Sequence, residues 1–314
     1  MPLPLASISR RSFVQGPGGT KASVTVKSFD ELKSTGIRIL GYGDVGSGKT
    51  LAILGFLQAG LKVLYIPCEI GAGDGLLTLH CAMQDRGLLD LKKNLFVVGG
   101  LRTYADYATF LDDPTTDFPE VYDVGIDLAA FDSFSVFQLL HVAAEVEPEL
   151  NKEDTYHEQL KLDSQAWGRL KNATVKNLNR FNRLNNVKTG QAWHKYLTCL
   201  EGDKEKVAGT GLNQTKEGAK LDPAKYTAMT TLMLQGASKK LTESAFDVII
   251  EMRVREKVAA AGNKMERVYE YQLQASEKLT AKARGLALDP IEDGDMFKLW
   301  QKIQGQAGGF LGAK

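Results

Sequence analysis

Apolar residues along this chain fall into short runs separated by segments with helical spacing. Ile37–Tyr42, Leu61–Ile66, Leu95–Val98 and Leu128–Phe131 are each strand-sized and apolar. Helical patterns lie between them, over Thr50–Gln58, which Gly60 stops, and over Tyr104–Leu111. From Ser164 to Leu184, Trp167, Leu170, Thr174, Leu178, Phe181 and Leu184 recur at intervals of three and four, which predicts one long helix. A weaker strand is predicted over Gln191–Leu197. Phe246–Val254 and Arg267–Leu273 read as paired strands around a turn at Gly262–Asn263. Strands alternating with helices predict an α/β fold with a mostly parallel central sheet flanked by helices. Residues 1–22 are rich in Ser, Gly and Pro and read as a flexible arm. Residues 23–290 form the predicted domain. Residues 291–314 read as a C-terminal helix and a flexible tail, the tail starting at Gln304.

Charge changes this picture little. The 314 residues carry a net charge of +1, so any nucleic-acid contact must come from local patches. Three cysteines, Cys68, Cys81 and Cys199, have no CxxC spacing, which argues against a disulfide framework or a zinc site. No apolar run approaches the ~20 residues of a membrane span. Arg10 and Arg11 are not followed by an apolar signal core. The expectation is a soluble chain in a reduced cytoplasm.

One motif carries specific chemistry. Gly43, Asp44, Val45, Gly46, Ser47, Gly48, Lys49 and Thr50 match the P-loop pattern G-x-x-x-x-G-K-[ST], between an apolar strand and a helix. The glycines let backbone N–H groups curl around phosphate oxygens. Lys49 would reach the β- and γ-phosphates of ATP, and Thr50 would ligate Mg²⁺. A second metal-side acid belongs at the tip of a neighbouring strand. Asp132 fits that place, although an Asp there also suits a helix cap or a turn. Asp127 competes from the opposite end of the same strand. Ser133 stands where many such sites carry a glutamate, so Glu69, beyond the strand Leu61–Ile66, becomes the candidate base. A surface-loop glutamate is the plainer reading of it.

The order of these segments resembles the RecA-core ATPases, in particular the small phage RecA-like ATPases of single-strand annealing and recombination. The resemblance spans roughly residues 35–290. It rests on Gly43–Thr50, Tyr65–Glu69, Ala130–Ser133, Gln191–His194 and Thr280–Gly285. It implies Glu69 as catalytic base and Asp132 as the Mg²⁺-side acid. It also implies His194 as a sensor at the end of the next core strand, and Lys282 and Arg284 as cations acting on a neighbouring subunit's nucleotide. Taken without the resemblance, His194 is equally a buried structural histidine, and Lys282 and Arg284 a solvated face.

The resemblance further implies a DNA-binding loop after the sensor strand. Glu201–Lys225 has this place, and its Lys204, Lys206, Lys216 and Lys220 are the candidate phosphate contacts. Interspersed acids leave a solvated loop as the alternative. The resulting expectation is an Mg²⁺-dependent ATPase that binds single-stranded DNA as a ring or filament in recombination or annealing. A single-strand-binding protein is a possible partner, and the host cytoplasm the setting if the gene is a phage's. A helicase or loader of the same fold, a small-molecule P-loop kinase and a nucleotide-switched binding module are the rivals.

Overall fold

In a computed structural model, residues 36–68, 73–142, 145, 164–207, 226–234, 238–258, 265–275 and 281–311 are described. The predicted arm at 1–22, Glu69, Lys216 and Lys220 lie outside the described residues. The first βα unit follows the sequence closely. Strand β1 (Arg38–Gly43) runs into the glycine loop, and helix α1 (Ala52–Gln58) follows it. Strand β2 (Val63–Pro67), helix α2 (Gly73–Asp85) and strand β3 (Leu95–Val97) come next. Helix α3 (Tyr104–Asp112) starts at a reciprocal cap. There Thr103 Oγ1 accepts from the Asp106 amide, and the Asp106 carboxylate accepts from the Thr103 and Arg102 amides. Those two amides hold the Asp106 carboxyl below its usual pKa.

Strand β4 (Leu128–Asp132) is buried along its whole length and passes into the short helix α4 (Phe134–Phe137). The long amphipathic helix α5 spans Ser164–Arg183. Of its predicted stripe, Leu170, Thr174, Leu178 and Phe181 are buried, as is Leu184 just beyond it.

The region after α5 departs from expectation. The predicted strand Gln191–Leu197 is two elements. Asn185–Asn186 (β5) and Gln191–Ala192 (β6) form a separate small hairpin. The central strand, β7, begins only at His194 and continues to Val207. Its low apolarity has a structural cause. Lys195 is 2% exposed, and its ammonium donates to the Leu184 carbonyl at 2.6 Å and the Trp193 carbonyl at 2.7 Å. The lysine therefore caps the C-terminal end of α5, where helix carbonyls lack partners.

Strand β8 (Tyr226–Leu232) pairs antiparallel with the outer half of β7, Glu201–Val207. The expected loop at Glu201 is thus strand as far as Val207. Helix α6 (Ser238–Ala245) leads to β9 (Val248–Val258), which pairs antiparallel with β10 (Met265–Gln272) as the sequence implies. Two short strands, β11 (Lys282–Ala283) and β12 (Ile291–Asp293), precede the last helix, α7 (Met296–Leu311).

The sheet order is β12-β10-β9-β1-β7-β4-β2-β3, with β11 on β9 and β8 on β7. From β3 to β9 every neighbouring pair is parallel, and the antiparallel pairs lie at β10, β11, β12 and β8. Successive strand residues face opposite sides. Leu40 and Tyr42 enter one core with α3 and α5, while Ile39 enters another with α1, α2 and α7. The last helix is part of the second core. Its Met296, Leu299, Trp300 and Ile303 are buried, with the Trp300 ring edge-on to Phe56 of α1 at 5.4 Å. The predicted tail from Gln304 is helix as far as Leu311. Among the described residues no helix is long and apolar enough to cross a membrane.

Candidate functional site

The parallel register sets the C-terminal ends of β1 and β4 beside the first half of β7. Gly43 pairs with Leu200, and Phe131 with Leu197. At this end the glycine loop closes. Gly46 and Gly48 have φ of 80° and 91°, a region that side-chain-bearing residues rarely enter. Gly43 is required for a different reason: a Cβ there would overlap the Met252 carbonyl oxygen of β9. Lys49 is 8% exposed. Its Nζ lies back along the loop, donating to the carbonyls of Gly43 (2.8 Å) and Asp44 (2.7 Å) and to Ser47 Oγ (3.3 Å).

Thr50 meets Asp132. The Thr50 hydroxyl donates to Asp132 Oδ2 at 2.7 Å, although the two residues come from different βα units. Asp132 is 3% exposed, and two further hydroxyls converge on it. Tyr65 donates to Oδ2 at 3.2 Å, and Thr198 donates to Oδ1. Tyr196, two residues earlier on β7, donates to the Lys49 carbonyl at 2.8 Å. Burial beside Tyr271, Asp132 and Tyr65 raises its phenol pKa well above 10. The Asp132–Ser133 peptide bond is cis.

Of the residues singled out in the sequence, Gly43–Thr50 and Asp132 therefore come together. Asp127 does not join them. It stays at the far end of β4, where its carboxylate accepts from the Lys62 amide at 3.1 Å. His194 requires a correction. It begins β7 rather than ending it, opposite Leu128, so it lies at the sheet end away from the glycine loop. There its Nδ1 accepts from the Ile37 amide at 3.0 Å and its ring packs edge-on to Trp300 at 4.8 Å. The side chain of that strand that reaches Asp132 is Thr198.

Lys282 and Arg284 also lie toward the end where β1 begins. Lys282 pairs with Ile249 and donates to the Glu243 carbonyl at 2.9 Å. Partial burial, with Arg284 close by, lowers its pKa. The Arg284 amide donates to the Asp247 carbonyl. Neither residue serves its own chain's loop. The backbones of Lys204 and Lys206 lie in the β7–β8 ladder, opposite Met229 and Thr227.

Sequence reasoning missed Tyr65, Tyr196 and Thr198. Their signal was present, because each is a hydroxyl-bearing residue inside an apolar strand, and buried hydroxyls find partners. It also missed Glu251, the single acid in the run Val248–Met252 of β9. Glu251 is 1% exposed, opposite Tyr42 of β1, and accepts from Arg253 at 2.7 Å.

The donor set at Thr50 and Asp132 is one hydroxyl and one carboxylate, both hard oxygens at the mouth of a glycine loop. That set suits Mg²⁺, which uses one or two protein oxygens with phosphates and water, better than a metal needing a protein cage. Among the described residues no cluster of three or more His, Cys, Asp or Glu forms such a cage. No protein-family model matches the chain, and a search of curated proteins returns no match.

Proposed function

We propose that this α/β protein is an Mg²⁺-dependent ATPase of the RecA-like P-loop class that acts on single-stranded DNA as an oligomer. The observation that carries the nucleotide part is the 2.7 Å approach of Thr50 to the buried Asp132 beside Lys49 and the glycine loop. Sequence distance alone would not join them. Together they supply a phosphate cradle, a cation and two magnesium ligands. The loop amides and Lys49 would hold the triphosphate. Lys49 would exchange the Gly43 and Asp44 carbonyls for phosphate oxygens. Thr50 and Asp132 would hold Mg²⁺, which offsets the negative charge of the phosphates and polarises them.

Two arrangements support the RecA-like part. Strand β7 lies between the loop strand β1 and the acid strand β4, and its Thr198, rather than the His194 that the resemblance implied, reaches Asp132. The β7–β8 ladder, which holds Lys204 and Lys206, extends past Leu200 at this same end, where a DNA strand would come. Lys282 and Arg284, remote from their own loop, fit a role at a neighbour's nucleotide better than one at home.

The test is ATP hydrolysis measured with and without single-stranded DNA and across protein concentration, with sizing alongside. Wild type should be stimulated by DNA and should rise in specific activity as it assembles. Lys49→Ala and Asp132→Asn should each abolish turnover. Lys282→Ala should bind ATP normally yet lose stimulated turnover, and mixing it with Lys49→Ala should restore part of the rate. Turnover indifferent to DNA and to concentration would refute the assembly reading while leaving the phosphate site intact.

A further inference from the structure

A cavity of about 270 Å³ opens against the glycine loop on the α1 side of the sheet. Gly48 and Leu51 form its end nearest the loop, Tyr269 and Tyr271 of β10 one wall, and Arg86 and Asp295 its polar groups. Nothing in the phosphate chemistry above uses it. Tyr269 presses directly on the loop, since a Cβ on Gly48 would come within 3.0 Å of its ring. Gly294 in turn allows the close approach behind that ring, because a Cβ there would overlap the Tyr269 main chain and Cβ.

We infer that this cavity takes the nucleoside of the bound nucleotide, with the base against the Tyr269 ring. This rests on the phosphate reading of Gly43–Thr50. Three observations support it. Leu51 directly follows Thr50, so a triphosphate lying along the loop delivers its nucleoside end here. The size lies just below the usual range for whole small-molecule ligands, as a base and sugar with the phosphates held elsewhere require. The lining joins an aromatic face to a few polar groups, the combination that holds a flat heterocycle carrying hydroxyls. Tyr271 completes the rear wall. It is 3% exposed, and burial beside the Asp295 carboxylate keeps its phenol protonated far above neutral pH, so it offers a neutral hydroxyl.

The carboxylate of Asp295 is already committed. Its Oδ1 accepts from the Phe297 amide at 3.0 Å and the Lys298 amide at 3.3 Å, capping α7. Recognition of the base therefore falls to the Tyr269 face and the Arg86 guanidinium. Such a site favours a nucleotide over bare triphosphate through stacking, and is tolerant of which base is bound.

The experiment compares two ligands, ATP and inorganic tripolyphosphate, by calorimetry with Mg²⁺ on the full chain. Wild type should bind ATP more tightly than tripolyphosphate. Tyr269→Ala should weaken ATP about 5- to 160-fold, the span that stacking energies of about 1–3 kcal/mol imply, and should change tripolyphosphate less than 2-fold. Gln58→Trp, which fills the far end of the cavity from an exposed position, should weaken ATP in the same selective way and guards against misfolding of the first variant. Equal affinity of wild type for the two ligands, or equal losses in the variants, would overturn the nucleoside pocket alone. Failure of wild type to bind either ligand would remove the phosphate site, and this inference with it.

Discussion

The phenol of Tyr196, buried near the start of the central strand β7, donates to the main-chain carbonyl of Lys49 across 2.8 Å. The central strand is thereby fastened to the lysine of the glycine loop. Lys49 precedes the regular turns of α1, and its carbonyl is shared between this hydroxyl and the Ala52 amide at 3.3 Å. Tyr196→Phe removes the shorter of these two bonds, and one such bond contributes about 0.5–1.5 kcal/mol. The expected result is a lower urea midpoint with an unchanged m-value, together with weaker ATP binding. A variant that loses stability yet binds ATP as wild type does would show that the tie serves folding alone.

Thr198 bears on the same site through Asp132. Three hydroxyls, from Thr50, Tyr65 and Thr198, share one carboxylate of which very little reaches solvent. Thr198→Val keeps the shape and removes one of them. Hydrogen bonds to a charged group contribute about 1.5–3 kcal/mol each, so the carboxylate should become less fixed in position. We expect the Mg²⁺ concentration for half-maximal ATPase to rise several-fold, while Mg²⁺-free nucleotide binding stays near wild type. An unchanged Mg²⁺ titration would assign Thr198 to packing only.

The outline of this fold was legible because its parallel strands are buried on both faces and so read as continuous apolar runs. Strands β1, β2 and β4 and helices α1, α3 and α5 follow from local pattern alone, whereas α2 (Gly73–Asp85) and the short α4 were not read from it. The start of β7 was not legible, for a specific reason. A buried lysine and a histidine stand at its first two positions, and both are satisfied by groups distant in sequence: Lys195 by the end of α5, and His194 by the Ile37 amide. Local pattern therefore started the strand at Gln191 instead of His194, and the resemblance put His194 at the end of the strand that it begins. Asp132 was found because a strand-end acid is a local feature. Its partners Tyr65 and Thr198 depend on strand order, which no local pattern encodes.

Two glycines of the loop separate packing from phosphate binding. Gly43 is constrained by the neighbouring strand, whose Met252 carbonyl leaves no room for a methyl group. Gly46 has open space around the place of a Cβ but a φ of 80°. Gly43→Ala should thus act on the fold. Backbone must move against backbone in the core of the sheet, and a loss of about 1–3 kcal/mol is expected, as in other overpacked cores. Gly46→Ala should cost about 1 kcal/mol through its left-handed backbone and show its main effect on ATP affinity. Thermal melts with and without Mg²⁺–ATP distinguish them. Gly43→Ala should melt low but retain the ligand-induced rise, whereas Gly46→Ala should melt near wild type and lose most of it. The reverse pattern would contradict the assigned roles.

Lys195 sets a pH dependence that owes nothing to catalysis. Burial drives its pKa down to about 7, with the Arg38 charge adding to the effect, against a usual value of 10.5. Between these two values the unfolded chain binds a proton that the folded chain does not hold fully. Stability then rises with pH, because ∂ΔG/∂pH follows the excess of protons on the unfolded state. Below about pH 7 both states are protonated and this group contributes no slope. Above about pH 10.5 neither is, and the slope vanishes again. The largest slope available to one group is about 1.4 kcal/mol per pH unit. Urea titrations from pH 6.5 to 9.5 should show wild type gaining stability relative to Lys195→Met as pH increases, with most of the gain above pH 7. Lys195→Met leaves the Leu184 and Trp193 carbonyls without their donor, so it should be offset from wild type at every pH; the informative quantity is how that offset changes. A constant offset across this range would mean that Lys195 keeps its proton in the folded state, held by the two carbonyls despite its burial.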